Sequence, residues 1–187
     1  HSCAVIVPAL LSMANSSLSS EGISGKAFLT SLAAGIHVTN RIGLAFGLYL
    51  DTGWMPTTLF GPFGCVVGCG KLLGFTEKQM LNGFGIAYSY IGGNRKALVE
   101  GGFMKRIQPG IASSHGVEST LLALKGITGP KHVFEDTYGF AHLYTGGKMR
   151  AEAFRATSKD VLEINNVSLK PYPSCRCTHP VIDAILE

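Results

Sequence analysis

No stretch of this sequence is apolar for the roughly 20 consecutive residues that a membrane-spanning helix needs. The longest candidate, residues 27–50, carries His37, Asn40 and Arg41 near its middle. Polar groups are costly at that depth in lipid, so the segment predicts a helix buried in protein. Charge is also scarce: 15% of the 187 residues are charged, 16 Lys+Arg against 12 Asp+Glu, for a formal net charge of +4 without a dense basic run. That argues against nucleic acid as a partner and leaves room for an anionic small molecule wherever a few cations converge. Five cysteines in a chain that is 46% hydrophobic are too few and odd in number for a disulfide scaffold, and read as reduced thiols in a cytoplasmic setting. Cys65 and Cys69 are spaced to share a helix face, and Cys175-Arg176-Cys177 has no second pair at metal-ligand spacing, so no metal site is expected. His115, His132 and His142 show no ligand spacing either and read as surface or helix-end residues. No repeat or low-complexity tract occurs beyond the serine cluster of residues 15–20.

What is present is a succession of helix signals. Residues 2–12 form an apolar helical stretch at the very start of the chain, so the sequence is expected to be an internal part of a longer protein, with a mitochondrial address upstream of His1 left open. Ser24 can cap a long helix whose Gly35, Thr39, Gly43 and Gly47 recur at four-residue spacing, a face suited to close packing. A glycine-rich segment, residues 61–70, leads to Thr76 and Gln79, a capping box that opens a helix running through Phe84 and Ile86 towards Tyr90. Residues 101–110 read as a loop carrying Lys105 and Arg106. Residues 111–125 then read as a helix stopped by Gly126, with Pro130 in the first turn of the next. Around Glu163 the pattern changes: Ile164, Val167, Leu169 and Tyr172 look extended, and Thr178 can cap a final helix. The expectation is a mainly α protein, residues 1–162 forming a large all-α helical domain and residues 163–187 beginning a smaller unit. Trp54, Tyr88 and Tyr90 read as core or pocket wall, and His179 as pocket or helix terminus.

Two stretches are specific in order and spacing: Glu100 to Gly110 continuing through Gly116, Gly126 to Pro130 and Tyr138 to Phe140, and Lys170 to Pro180 with Ile182 to Ala184. Both resemble the MmgE/PrpD family. His1-Ser2 leading into an apolar helix, and Gly53 to Thr57 leading into Leu59 to Gly64, fit it too, so the resemblance covers nearly the whole chain. It implies a large helical domain followed by a smaller α/β domain, usually as a homodimer, acting on small polycarboxylic acids without a metal or organic cofactor. His1 falls where the family carries an active-site His, Lys105 where it carries an active-site Lys, and Lys170 where a second Lys lines the pocket. Many relatives have His where this chain has Met55 and again where it has Gln108, and some place His at the position of Cys175.

Those residue types suit removal of water from a hydroxy acid. Imidazole titrates near neutral pH and can act as acid or base, which is the role expected of His1. Lys105 is expected to stabilise the carbanion-like state. Lys170, Arg106 and Arg176 are expected to hold carboxylates, and Cys175 could exchange protons if its thiol were made more acidic by Lys170 or Arg176. A thioether does not titrate, so Met55 ranks decarboxylation and epimerisation below dehydration of a citrate-like acid such as 2-methylcitrate. The alternatives are a cis-aconitate-type decarboxylase, an iminodisuccinate-type epimerase, or a catalytically silent paralogue serving as a dimeric helical scaffold.

Overall fold

A computed structural model of the chain describes residues 1–16, 18, 22–155 and 162–187. Part of the serine cluster therefore lies outside the described residues, as do residues 156–161 beside the expected domain boundary. Among the described residues the fold is helical, with one isolated antiparallel bridge, Trp54 to Asn94, in place of a sheet. Among the described residues no helix is long and apolar enough to cross a membrane.

The central element is α3 (Pro56–Leu72), which is buried along most of its length because four helices pack around it. These are α1 (Ser2–Ala14), α2 (Gly25–Phe46), α4 (Glu77–Tyr90) and α6 (Met104–Leu124). The glycine-rich run seen in the sequence is the body of α3, and its glycines let neighbours approach to backbone contact. A Cβ on Gly64 would run into the Thr39 hydroxyl and lie 2.7 Å from the Gly35 carbonyl oxygen of α2. One side of α3 meets an apolar cluster containing Phe46, Leu59, Phe63 and Phe140. The other places Cys65 and Cys69 among Val5, Ile6, Leu10 and Met13 of α1.

The predicted caps form. The Ser24 hydroxyl accepts from the Ala27 amide, and Thr76 and Gln79 make both halves of the capping box. Residues 101–110 are not one loop. After the short α5 (Lys96–Val99), α6 already begins at Met104, so Lys105 and Arg106 occupy its first turn. The helix passes through Pro109 and Gly110 and forgoes only the amide bond that Pro109 would have donated to the Lys105 carbonyl. Nor does a helix start at Pro130. Gly129 and Pro130 lie against the Gly85 backbone of α4, and the next helix is α7 (Phe140–Thr145).

Near the C-terminal end, Glu163–Asn166 is a 3-10 turn and not an extended run, because its first residue is held by α2. The Glu163 amide donates to His37 Nδ1 at 3.0 Å, and its carboxylate lies 3.6 Å from Arg41. Val167 is extended, as expected. Thr178 stands at the start of α8 (His179–Leu186), but its hydroxyl donates back to the Cys175 carbonyl at 2.7 Å and caps nothing. Pro180 in the first turn removes one of the amides a cap would have served.

Candidate functional site

A cleft of about 1080 Å³ opens where the first residues of α1, the middle of α2, the start of α3, the start of α6 and the segment around Glu163 to Cys175 come together. It gathers five of the six site residues named from the sequence: His1, Lys105, Arg106, Lys170 and Cys175. Arg176 does not line it. That residue begins the short turn Arg176–Thr178, one step beyond the cleft wall.

Local structure explains the convergence. His1 precedes α1, and the adjoining Ser2 hydroxyl donates to Asn40 Oδ1 on α2 at 2.7 Å, which fixes the start of α1 against the cleft floor. Lys105 and Arg106 sit in the first turn of a 21-residue helix with no acidic residue beside them. Free amides and the helix dipole already make that end positive, so two cations there are unfavourable unless an anion joins them. Lys170 Nζ donates to the Ser174 carbonyl at 3.1 Å, within the turn that also carries Cys175.

Sequence reasoning missed Arg95, Asn40 and Glu163, all of which line the cleft. Arg95 is brought there by a small clasp: its amide donates to the Gly53 carbonyl at 3.0 Å, and the Met55 amide donates to the Gly93 carbonyl at 3.2 Å. Met55 thus lines the same cleft, with no titrating atom. Gln108 does not line it. Its Nε2 donates to the Asn94 carbonyl at 2.9 Å, tying α6 to the loop that carries Arg95. Glu163 is the acidic residue among the lining groups, and Arg41 already faces it. Arg95, Lys105, Arg106 and Lys170 form no ion pair among the described residues. The cleft is cationic and offers a polyanion several independent partners.

The Cys175 thiol is held below its ordinary range, chiefly by hydrogen bonds from the backbone and side chain of Cys177, with Lys105 and Lys170 adding to the effect. The expected influence of Arg176 is absent from that set. Of the remaining residues singled out, His115 stacks on Tyr90 with ring centroids 5.1 Å apart, and His132 pairs with Glu135 at 3.2 Å. Trp54 packs edge-on against Tyr144. His179 is buried at the start of α8, against the ring of Tyr172. No three His, Cys, Asp or Glu side chains among the described residues are grouped to hold a metal ion.

Comparison with known proteins places the chain among relatives of one family. The family model for the MmgE/PrpD N-terminal domain matches residues 1–152. A cis-aconitate decarboxylase-like protein of Aspergillus oryzae is 34% identical over 163 residues, covering 83% of this chain and 33% of the relative. A cis-aconitate decarboxylase of Aspergillus terreus is 31% identical, over 99% of this chain and 39% of the relative. A human cis-aconitate decarboxylase is 26% identical, over 98% and 38%. The chain thus spans between a third and two fifths of the length of these relatives.

Proposed function

The chain belongs to the MmgE/PrpD family, and from that premise we propose that it contributes the cationic half of the active site of a lyase acting on a citrate-like tricarboxylic acid. The observation that carries this is the gathering of His1, Arg95, Lys105, Arg106 and Lys170 around one cleft with, among the described residues, a single, already engaged carboxylate. Decarboxylation of a cis-aconitate-type substrate is the first reading. Loss of carbon dioxide leaves an electron pair on carbon, which a cation must stabilise and one acid must protonate. Lys105 suits the first task and His1 the second, while Lys170, Arg95 and Arg106 bind the remaining carboxylates. Such a reaction asks for one proton donor, so Met55 is less of an obstacle to it than the absence of a titrating group first suggests. The names of the relatives support the same choice.

Dehydration of a hydroxy acid such as 2-methylcitrate is the second reading. It needs both a base and an acid, and the Cys175 thiol, made more acidic beside Cys177, is the observation that favours it. The family implies no metal or organic cofactor for either reaction.

The test is proton NMR of the full-length protein with cis-aconitate, citrate, 2-methylcitrate and iminodisuccinate. Carbon dioxide release from cis-aconitate is expected, and Lys105→Ala should lower turnover at least about a hundredfold, the scale of one lost electrostatic stabiliser. Loss of water from citrate or 2-methylcitrate would select the second reading. An untouched panel in which no acid raises the melting temperature would leave the silent paralogue.

A further inference from the structure

Cys175 differs from the other cleft groups in being a nucleophile. It is exposed, lies on the wall of the cationic cleft, and has its thiol made more acidic chiefly by the backbone and side chain of Cys177. Two ammonium groups of the same cleft, Lys105 and Lys170, are close enough to act on its charge. Thiolates add to carbon–carbon double bonds conjugated with a carbonyl group. Ionised unsaturated acids are ordinarily slow acceptors, because the incoming electron pair must enter an already negative group. A cationic cleft removes that obstacle, since ammonium groups can neutralise the carboxylate and stabilise the dianion formed on addition.

We infer that Cys175 is a covalent modification site for unsaturated di- and tricarboxylates, which the cleft cations draw in and activate. The sulfur forms a bond to the β-carbon, and the π pair moves onto the α-carbon and its carboxylate. A proton from solvent then settles on the α-carbon, so the whole acid is added with no change in oxidation state. The inference rests on the proposed polycarboxylate reading of the cleft. It also gives that reading a consequence. Removing carbon dioxide from an unsaturated tricarboxylate while keeping the double bond leaves an unsaturated dicarboxylate beside Cys175, so a protein that accumulates such a product would label and block its own cleft.

The full-length protein should be incubated with 2-methylenesuccinate and, separately, with its dimethyl ester, and the adducts mapped by mass spectrometry. The expected result is one addition of the intact acid at Cys175, lost in Cys175→Ser and kept in Cys177→Ser. The acid-to-ester rate ratio at Cys175 should exceed that for 2-mercaptoethanol by about tenfold or more, and the excess should shrink in about 1 M salt. An equal ratio, or addition confined to Cys3 and Cys177, overturns the inference. Citrate, which is saturated, separates the two levels of the argument. If it shields Cys175 from the ester while the acid never adds, the binding reading stands and the modification falls. If it gives no shielding and the acid shows no advantage, both fall.

Discussion

Cys65 and Cys69 sit on the packed side of α3, and burial gives them a chemistry opposite to that of Cys175. Burial pushes the Cys69 thiol up to about 12, and Cys65, which also faces Cys69, is raised well above its ordinary value. Each stays neutral in the folded state where an unfolded thiol, with a pKa near 8.5, would ionise. Both therefore contribute stability that is fully present below about pH 8.5 and is lost as pH rises towards the folded value. For Cys69 alone the unfolding free energy should fall by about 1.4 kcal/mol per pH unit between roughly 8.5 and 12. Urea titrations across that range would show it, and Cys69→Ala should flatten the slope. If the variant keeps the wild-type slope, Cys65 and the tyrosines raised by burial, Tyr88 and Tyr144, carry it instead.

Between elements, glycine acts in two ways that substitution can separate. Gly64 lets α3 come close to α2, and a methyl there meets the Gly35 carbonyl at 2.7 Å, which is backbone and cannot rotate aside. Gly64→Ala should destabilise by about 1–3 kcal/mol, the usual cost of overpacking. Gly110 lies inside α6 with nothing within 4 Å of an added Cβ, so Gly110→Ala should stabilise by about 0.5–1 kcal/mol. Thermal melts of the pair would move in opposite directions. The same distinction shows what the sequence could reveal. The caps at Ser24 and Thr76 are local hydrogen-bond chemistry, and the four-residue spacing of Gly35, Thr39 and Gly43 is local geometry, so α2 and α4 were legible. The start of α6 was not, because Pro109 and Gly110 are locally unfavourable and are tolerated only because Ala112, Ser113 and Gly116 pack on the core. Similarly, His1, Lys105 and Lys170 carried their own signal as an imidazole and two amines in recognisable stretches. Arg95, Asn40 and Glu163 enter the cleft through contacts with Gly53, Ser2 and His37, and no spacing along the chain records such contacts.

For the whole molecule, the cleft is assembled from two parts of the chain that residues 156–161 separate. His1, Arg95 and Lys105 come from the helical body, whereas Glu163, Lys170 and Cys175 come from the segment after it. We propose that residues 163–187 open the second, smaller unit of the family's architecture, docked on α2 through the contacts of Glu163 with His37 and Arg41. A polycarboxylate that binds Lys105 on one wall and Lys170 on the other would link the two parts. It would lower the free energy of the closed arrangement by about 2.7 kcal/mol at a concentration one hundred times its dissociation constant. Hydrogen exchange should register this as slower exchange in residues 104–108 and residues 174–178 together, with the same dependence on citrate concentration. Slowing limited to residues 104–108 would mean that the helical body binds the anion alone, leaving Lys170 and Cys175 as bystanders on the rim. Matched slowing would mean that the ligand itself helps to join the two units, so substitution of Lys170 should weaken binding and loosen residues 174–178 in the same measure.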